Sequence, residues 1–146
     1  MRFEKINKIN KKNLKKYIKI YLQEITKKKQ NYKKIDNFFY TIKKKALFFW
    51  IYHKQFKIGF VVLYFNYGNK INFCYIRDMF IRKKFRLRSF GSTVIKKIIL
   101  KCIKNEINFL KIDILQANLK VEEFWKQIGF RKKKKSYFYK IKNVSN

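Results

Sequence analysis

The residues best suited to chemistry lie in one basic segment near the middle of the chain. An apolar stretch ending at Ile81 leads into a loop that contains Arg86, Ser89 and Gly91, and a helical pattern follows directly. The first backbone N–H groups of a helix have no partner within it, and the helix dipole adds partial positive charge there. We therefore predict an anion site of the phosphate-binding kind at this loop, with Arg86 and Arg88 adding charge.

The net charge of the chain is extreme and has two explanations. Lys and Arg number 39 against 8 Asp and Glu, a formal net charge of +31 at pH 7. Clustered cations would indicate a nucleic-acid partner, because they release counterions from phosphates. The lysines are spread along the whole chain instead, and many Lys, Ile, Asn, Phe and Tyr with Pro 0 and Gly 4 are typical of A+T-rich coding. We therefore expect only non-specific, salt-sensitive binding to nucleic acid.

Length, hydrophobicity and cysteine content predict a cytoplasmic globular protein. A chain of 146 residues, 47% of them hydrophobic, can build one core, so we predict a single domain over 1–146. The longest uncharged run, Ile58–Asn69, is shorter than the roughly 18–20 apolar residues that cross a membrane, and the N-terminus has no signal-sequence pattern. Cys74 and Cys102 form no disulfide framework and lack metal-ligand spacing, so we predict neither a metal site nor a membrane partner.

The elements that must position the basic loop follow the order β-α-α-β-β-β-α-β-α-β. Strand patterns cover Arg2–Ile6, Leu47–Tyr52, Ile58–Phe65, Ile71–Ile81, Leu110–Ile114 and Tyr137–Ile141. Helix patterns begin after an N-cap at Asn13, cover Ile35–Lys44, follow the basic loop, and carry the apolar face Val121–Ile128, which Gly129 ends. We interpret Arg131–Lys135 as a solvated hairpin segment, and the alternative is a cationic clamp on a phosphate group of a ligand or of nucleic acid. This order predicts a mixed α/β sheet, antiparallel first and parallel later, with flanking helices.

Two segments follow known sequence motifs in the order that one enzyme family has them. The run Arg86-Leu-Arg-Ser-Phe-Gly91 matches the pattern Arg/Gln-x-x-Gly-x-Gly/Ala, except that Ser89 stands at the first glycine. The run Asn118-Leu-Lys-Val-Glu-Glu-Phe-Trp-Lys-Gln-Ile-Gly-Phe130 follows the pattern Asn-x-x-Ala-x-x-Φ-Tyr/Trp-x-x-x-Gly-Phe. With both motifs in this order, the chain resembles the GCN5-related N-acetyltransferase (GNAT) superfamily.

The resemblance implies the acyl-CoA N-acyltransferase fold and transfer of an acetyl group from the cosubstrate acetyl-CoA to a primary amine, which attacks the thioester directly. It places the pantetheine arm of CoA along the backbone of Met79, Phe80 and Ile81. It also implies CoA contacts for Asn118 and Trp125, with a plain helix N-cap as the alternative for Asn118. The CoA pyrophosphate would bind the loop and first helical turn formed by Arg86, Leu87, Arg88, Ser89, Phe90, Gly91 and Ser92.

The resemblance leaves the proton-transfer residues open. Asp78 is the only carboxylate on the fourth strand, near the place where the amine should meet the thioester. It is a candidate base or anchor for the amine, and an ordinary salt bridge is the alternative. Trp125 stands where many members of the family have an acidic Tyr. Since an indole N–H is not an acid, Trp125 either orients CoA or packs in the core. Tyr137 and Tyr139 are candidate substitutes. A left-handed backbone at Ser89 would be strained.

The acceptor and two alternative functions also stay open. The acceptor amine is that of a protein N-terminus or lysine, a polyamine, a sugar or an amino acid. One alternative is a CoA-binding regulatory module without turnover, which Ser89 and Trp125 motivate. The other is an RNA- or ribosome-associated protein that uses its basic surface. The oligomeric state is open as well, with a homodimer among the options.

Overall fold

The structure is a computed structural model, and it describes residues 1–6, 11–28, 32–40, 45–114 and 119–141. Within these ranges the chain forms seven strands: β1 (Arg2–Lys5), β2 (Leu47–His53), β3 (Phe56–Tyr67), β4 (Asn72–Ile81), β5 (Phe109–Asp113), β6 (Arg131–Lys133) and β7 (Ser136–Lys140). Its helices are α1 (Lys11–Thr26), α2 (Tyr32–Tyr40), α3 (Phe90–Ile103) and α4 (Leu119–Ile128). No helix in the described ranges is long and apolar enough to cross a lipid bilayer.

The strands form one mixed sheet in the order β1-β2-β3-β4-β5-β7-β6. This confirms the predicted mixed α/β sheet with an antiparallel first half. The expectation of parallel strands later holds only for β4 and β5, because β7 pairs antiparallel with β5. The reason is the hairpin of β6 and β7, which reverses the chain after α4. The solvated hairpin segment predicted at Arg131–Lys135 contains β6, whose three residues are all exposed. Its pairing as a strand was not predicted, because exposed cations show no apolar alternation.

Helices cover both faces of the sheet and divide the core into two clusters. On one face, Val94 and Ile98 of α3 pack against strand residues such as Val61. On the other face, Leu14 and Ile18 of α1 pack against a second set of strand residues, which includes Trp50, Phe60 and Val62. Since neighbouring residues of β3 are buried on opposite faces, this central strand is apolar along most of its length, as predicted for 58–65.

The helix boundaries differ from the expected ones at the start of α1. The helix begins at Lys11, so Asn13 lies exposed within its first turn and the predicted N-cap is wrong. The apolar stripe identifies the buried face of α1 but not its first residue, because exposed polar residues are tolerated on both sides of a helix start. The expected end of α2 at residues 41–44 lies outside the described ranges. Gly129 follows α4 with a φ of +109°, as its C′ position requires.

Candidate active site

The two parallel strands at the centre of the sheet separate before β4 ends. β4 pairs with β5 only from Phe73 to Ile76, whereas its antiparallel pairing with β3 continues to Ile81. β5 itself ends at Asp113. Within the described part of the chain, one edge of β4 from residue 77 onward therefore has no strand beside it. The result is a cleft that opens toward the basic loop.

A bulge in β4 lies where this separation begins. In the pairing with β3, Val62 faces Asp78 and the next residue, Leu63, faces Ile76, so Arg77 is an extra residue. The bulge changes the face to which the following side chains point. Ile76 belongs to the core under α3 and α4, but after the bulge Asp78 hydrogen-bonds to α1, on the opposite face.

The backbone of β4 beyond the bulge has free groups on its open edge. The N–H of Arg82 donates to the carbonyl of Ile58 on β3, at 2.9 Å. Because alternate residues of an antiparallel strand bond to opposite sides, Phe80 also bonds toward β3, and the N–H groups of Met79 and Ile81 point into the cleft. The carbonyl oxygen of Ile81 is already occupied, since it accepts from Nε of Arg86. Of the three residues predicted to pair with pantetheine, Met79 and Ile81 are thus oriented for strand-like pairing.

Gly59 allows β3 and β4 to approach each other closely beside the cleft. A Cβ atom at Gly59 would lie 1.9 Å from the carbonyl oxygen of Phe80, far inside van der Waals contact. Any side chain here would push β4 away from its partner, so the geometry of the cleft depends on a glycine at this position.

The basic loop contains two residues with left-handed backbone. A short 3₁₀ turn, Lys83–Phe85, follows β4, and φ is +59° at Leu87 and +56° at Ser89. Left-handed backbone costs a residue with a Cβ about 1–2 kcal/mol, so the strain anticipated for Ser89 is present and is joined by strain at Leu87. Leu87 is fully exposed and gains no packing in return. Both positions would suit glycine.

The start of α3 leaves backbone donors available. The carbonyl of Ser89 accepts hydrogen bonds from the N–H and the hydroxyl of Thr93, at 3.0 and 2.9 Å, and from the hydroxyl of Ser92. The Ser89 side chain makes no capping hydrogen bond. The first N–H groups of α3, those of Phe90, Gly91 and Ser92, are therefore not capped by it, as an anion site at a helix N-terminus requires.

Arg86 does not point toward the start of α3. Its Nε donates to the carbonyl oxygen of Ile81 at 2.7 Å, and its Nη2 forms an ion pair with Glu24 on α1. The guanidinium also lies over the ring of Phe80. The side chain thus ties the loop to α1, while the neighbouring Arg88 is exposed. Both arginines expected to add charge to the anion site are exposed, but the guanidinium of Arg86 is engaged by Glu24 and by the carbonyl oxygen of Ile81.

Gly91 allows α3 to pack closely on α4. A Cβ atom at this position would lie 2.9 Å from two ring carbons of Phe124. This contact explains why a glycine stands one residue after the first residue of α3. The first turn of α3 thus has free backbone donors, and its glycine leaves room for the ring of Phe124.

Asp78 is the one buried charged residue in the described ranges, with 6% of its surface exposed. Its Oδ1 accepts a hydrogen bond from the hydroxyl of Tyr21 at 2.8 Å, and its Oδ2 accepts one from Nη1 of Arg77 at 2.6 Å. Burial raises the pKa of Asp78 above its usual value, and the charge of Arg77 and the two hydrogen bonds oppose that rise. The salt bridge considered in the sequence analysis is thus present, and it involves the neighbouring residue.

Tyr21 is a site residue that sequence reasoning missed. It lies on α1 with its ring edge-on to Phe60 and Phe38, and burial, followed by the charge of Asp78, raises the pKa of its hydroxyl. Its place in the apolar stripe of α1 gave no sign that its hydroxyl meets a carboxylate 57 residues away. The pKa of Tyr75 is raised in the same way, to about 12, by burial and then by the charge of Asp113.

Trp125 of the second motif and its candidate substitutes Tyr137 and Tyr139 are engaged in packing or hydrogen bonds. Trp125 is 4% exposed, with its ring edge-on to Phe130 at 5.0 Å. Tyr137 donates its hydroxyl to Glu122 of α4 at 2.7 Å, and this hydrogen bond raises the pKa of Tyr137. Tyr139 packs on Phe130. The core packing of Trp125 is thus observed, its contact with CoA stays a prediction, and Asn118 lies outside the described ranges.

The sequence also matches a model of a known protein family. The model, described as the acetyltransferase (GNAT) family, matches residues 14–130, a span that includes most of α1 and all of the cleft, the loop and α4. No curated protein matches the chain.

Solved structures share the fold over most of the chain. A GNAT-family acetyltransferase from Staphylococcus aureus Mu50 is 18% identical over 97% of this chain and 99% of its own, with a TM-score of 0.74. An acetyltransferase from Thermus thermophilus is 14% identical over 96% and 97%, with a TM-score of 0.75. A GNAT-family acetyltransferase from Elizabethkingia anophelis with acetyl-CoA bound is 20% identical over 69% and 61%, with a TM-score of 0.54. At these identities the similarity establishes the fold alone.

Proposed function

This chain belongs to the GNAT acetyltransferase family, and on that premise we propose that it is an N-acetyltransferase, in which a primary amine attacks the thioester of acetyl-CoA directly. The observation that carries the proposal is the open edge of β4, which contains Asp78 and ends at Ile81, where the loop to the start of α3 begins. We further propose that residues 1–146 act as one catalytic domain. A cytoplasmic location stays a prediction from the sequence.

Acetyl-CoA is the cosubstrate that the family uses, and a protein of similar fold is described with acetyl-CoA bound. In our proposal its pantetheine arm takes the place of the missing strand, paired with the backbone of Met79 and Ile81. The pyrophosphate lies at the first N–H groups of α3, with Arg88 adding charge from the loop. Arg86 instead supports the site from outside, by holding the carbonyl of Ile81 and the side chain of Glu24.

Chemistry in this site needs a proton acceptor and a stabiliser of the oxyanion. The amine nitrogen forms its bond to the thioester carbon, the C–S bond breaks, and CoA leaves as a thiolate. An N–H of Met79 or Ile81 on the open edge polarises the acetyl carbonyl. Asp78 takes the proton that the amine loses, directly or through water, and its raised pKa makes it a better acceptor than an exposed aspartate. A thiol with a pKa of about 8.5 can leave as its thiolate without being protonated by an acid. The reaction therefore does not need a Tyr at the position of Trp125.

Tyr21→Phe should make Asp78 harder to ionise. The lost hydrogen bond stabilises the carboxylate form, so the pKa of Asp78 rises further and the acidic limb of the pH–rate profile moves to higher pH. The buried oxygen left without its donor lowers the free energy of unfolding by about 1–3 kcal/mol. Urea unfolding and initial rates across pH measure both effects. Tyr67→Phe at an exposed position is the matched control, and a profile that moves equally in both variants contradicts the role of Tyr21.

Ser89→Gly should stabilise the protein, because glycine adopts the left-handed backbone at this position without strain. The carbonyl that accepts from Thr93 is kept. We expect the free energy of unfolding to rise by about 0.5–1 kcal/mol, the strain relieved less the larger entropy of an unfolded glycine. Ser92→Gly, inside α3, is the control and should lower it by about 0.5–1 kcal/mol. If both variants lose stability equally in urea unfolding, the loop backbone is not as described.

The experiment that tests the function is incubation of the protein with acetyl-CoA and a panel of amines. The panel contains peptides with free N-termini or lysines, polyamines, amino acids and amino sugars. The proposal predicts release of the CoA thiol together with an acetylated amine found by mass spectrometry. Saturable acetyl-CoA binding without thiol release for any amine would favour a regulatory module. Failure to bind acetyl-CoA, with RNA affinity that survives moderate salt, would favour the RNA-associated alternative.

A further inference from the structure

A second cavity lies on the same face of the sheet as Asp78, between α1 and the residue that follows β4. Its volume is about 310 Å³, at the lower end of the range that small-molecule sites cover. It is lined by Asn13, Lys16, Tyr17, Ile20, Lys57 and Arg82. The cavity is separate from the start of α3, since α1 and α3 cover opposite faces of the sheet.

The cations of this cavity have no side-chain carboxylate partner within the described ranges. All eight Asp and Glu residues of the chain lie in those ranges, at Glu4, Glu24, Asp36, Asp78, Glu106, Asp113, Glu122 and Glu123. The ion pairs that they form there within 4.0 Å use Arg2, Lys15, Arg77, Arg86, Lys111 and Lys126. Lys16, Lys57 and Arg82 take no part in these pairs, so three cationic residues without a carboxylate partner line one cavity.

Aromatic rings hold two of these cations in place. The ammonium of Lys57 lies 4.1 Å from the ring centre of Trp50, and the guanidinium of Arg82 lies 5.7 Å from that of Tyr17. The hydroxyl of Tyr17 donates to the backbone carbonyl of Lys57 at 3.3 Å, which joins α1 to β3 at this point. A ring attracts a cation without cancelling its charge. The cations are therefore positioned while their charge stays available to a ligand.

We propose that this cavity binds the phosphate group of a small molecule, at a site distinct from that of the CoA pyrophosphate. Two ammonium groups and a guanidinium match a phosphate monoester in charge, and the guanidinium can donate two parallel hydrogen bonds to its oxygens. The amide of Asn13 adds a donor on the α1 side, and Ile20 offers an apolar wall to the carbon skeleton of the ligand. Two of the cations at this site are held over aromatic rings. This distinguishes the site from the lysines that are spread over the rest of the surface.

The test uses inorganic phosphate and the full chain, with acetyl-CoA present at saturating concentration so that the donor site is filled. Phosphate is titrated at roughly 150 mM NaCl, where long-range attraction is screened, and Trp fluorescence is recorded because Lys57 lies on the ring of Trp50. We expect one saturable site whose affinity falls by roughly tenfold or more in Arg82→Gln and in Lys57→Gln. Lys70→Gln, in the exposed turn before β4, removes the same charge and should leave the affinity unchanged.

Two results would overturn the proposal. An equal loss of phosphate affinity in Arg82→Gln and Lys70→Gln would mean that phosphate responds only to the net charge. Phosphate binding that disappears once acetyl-CoA is saturating would mean that phosphate had occupied the donor site. Lys16→Gln, on α1, gives a third variant if Lys57→Gln proves unstable in thermal unfolding. Acetyl-CoA is first titrated on the same protein to set the saturating concentration, so failure of this site is distinguishable from failure of the acetyltransferase.

Discussion

Asp78→Asn should lower kcat/KM for amine acetylation by about 10²–10⁴-fold, the range that a positioned general base contributes. The affinity for acetyl-CoA should stay within a few-fold, because the donor is held by the backbone of β4 and by the start of α3. Asparagine keeps the size of the side chain and an oxygen that accepts from Tyr21 or Arg77. Stopped assays for the CoA thiol and calorimetry with acetyl-CoA measure the two quantities separately.

The same substitution should not unfold the protein at neutral pH. Burial raises the pKa of Asp78, so the folded chain binds this proton more tightly than the unfolded chain does. The contribution of Asp78 to stability is therefore most favourable below the unfolded pKa of about 3.9 and declines as pH rises through the raised folded pKa. A neutral asparagine removes that decline. The free energy of unfolding of Asp78→Asn should accordingly depend less on pH than that of the wild type.

Asp36→Asn is the matched control for this prediction. It makes the same chemical change at an exposed residue of α2, which pairs with Lys15 on the surface. Such pairs contribute about 0–1 kcal/mol, so activity and stability should both stay close to wild type. If Asp78→Asn keeps more than roughly a tenth of the wild-type kcat/KM, the carboxylate is a structural partner of Arg77 and does not accept the proton.

Gly91→Glu should weaken acetyl-CoA binding by on the order of 100-fold, since it adds a negative charge in the first turn of α3, beside the N–H groups that we assign to the pyrophosphate, and also crowds Phe124. Gly91→Ala separates charge from crowding, because its Cβ meets the same ring of Phe124 at 2.9 Å without adding a charge. Alanine should lose about 1–3 kcal/mol of stability by overpacking and much less of the affinity. Thermal unfolding and calorimetric titration at roughly 150 mM salt measure the two effects.

ATP is the necessary reference in that titration, because a protein with a net charge of +31 attracts any polyphosphate. We expect the wild type to prefer acetyl-CoA over ATP and Gly91→Glu to lose that preference. Equal binding of both ligands, unchanged by Gly91→Glu, would mean that the loop is only a basic surface. The start of α3 would then have no role in donor recognition.

The fold could be predicted from the sequence wherever a periodic pattern or a run of apolar residues extends over a whole helix or strand. The stripe containing Leu14 and Ile18 gave the buried face of α1, and the apolar run after Ile58 gave a central strand. The bulge at Arg77 could not be predicted, because a single extra residue leaves no mark on an apolar strand pattern and depends on pairing with β3. That bulge places Asp78 on the α1 face. A strictly alternating strand would have pointed it toward α3.

The candidate site was predictable only in its local parts. The loop and the start of α3 follow from neighbouring residues, and the strain at Ser89 was anticipated as a condition on its φ angle. The left-handed backbone at Leu87 was not predicted, because the motif pattern allows any residue at its position. The contacts of Asp78 with Tyr21 and of Arg86 with Glu24 join residues 57 and 62 positions apart. Contacts at such distances arise from packing, and residue types alone did not indicate them.

The measurement that tests the account most directly is a crystal structure of the protein with CoA or acetyl-CoA bound. We predict that the pantetheine arm lies along the open edge of β4, hydrogen-bonded to the backbone of Met79 and Ile81, with the pyrophosphate at the N–H groups of Phe90, Gly91 and Ser92. The sulfur should then lie near Asp78. A ligand bound away from the cleft between β4 and β5, or held only by surface lysines, would contradict the proposed acetyltransferase site.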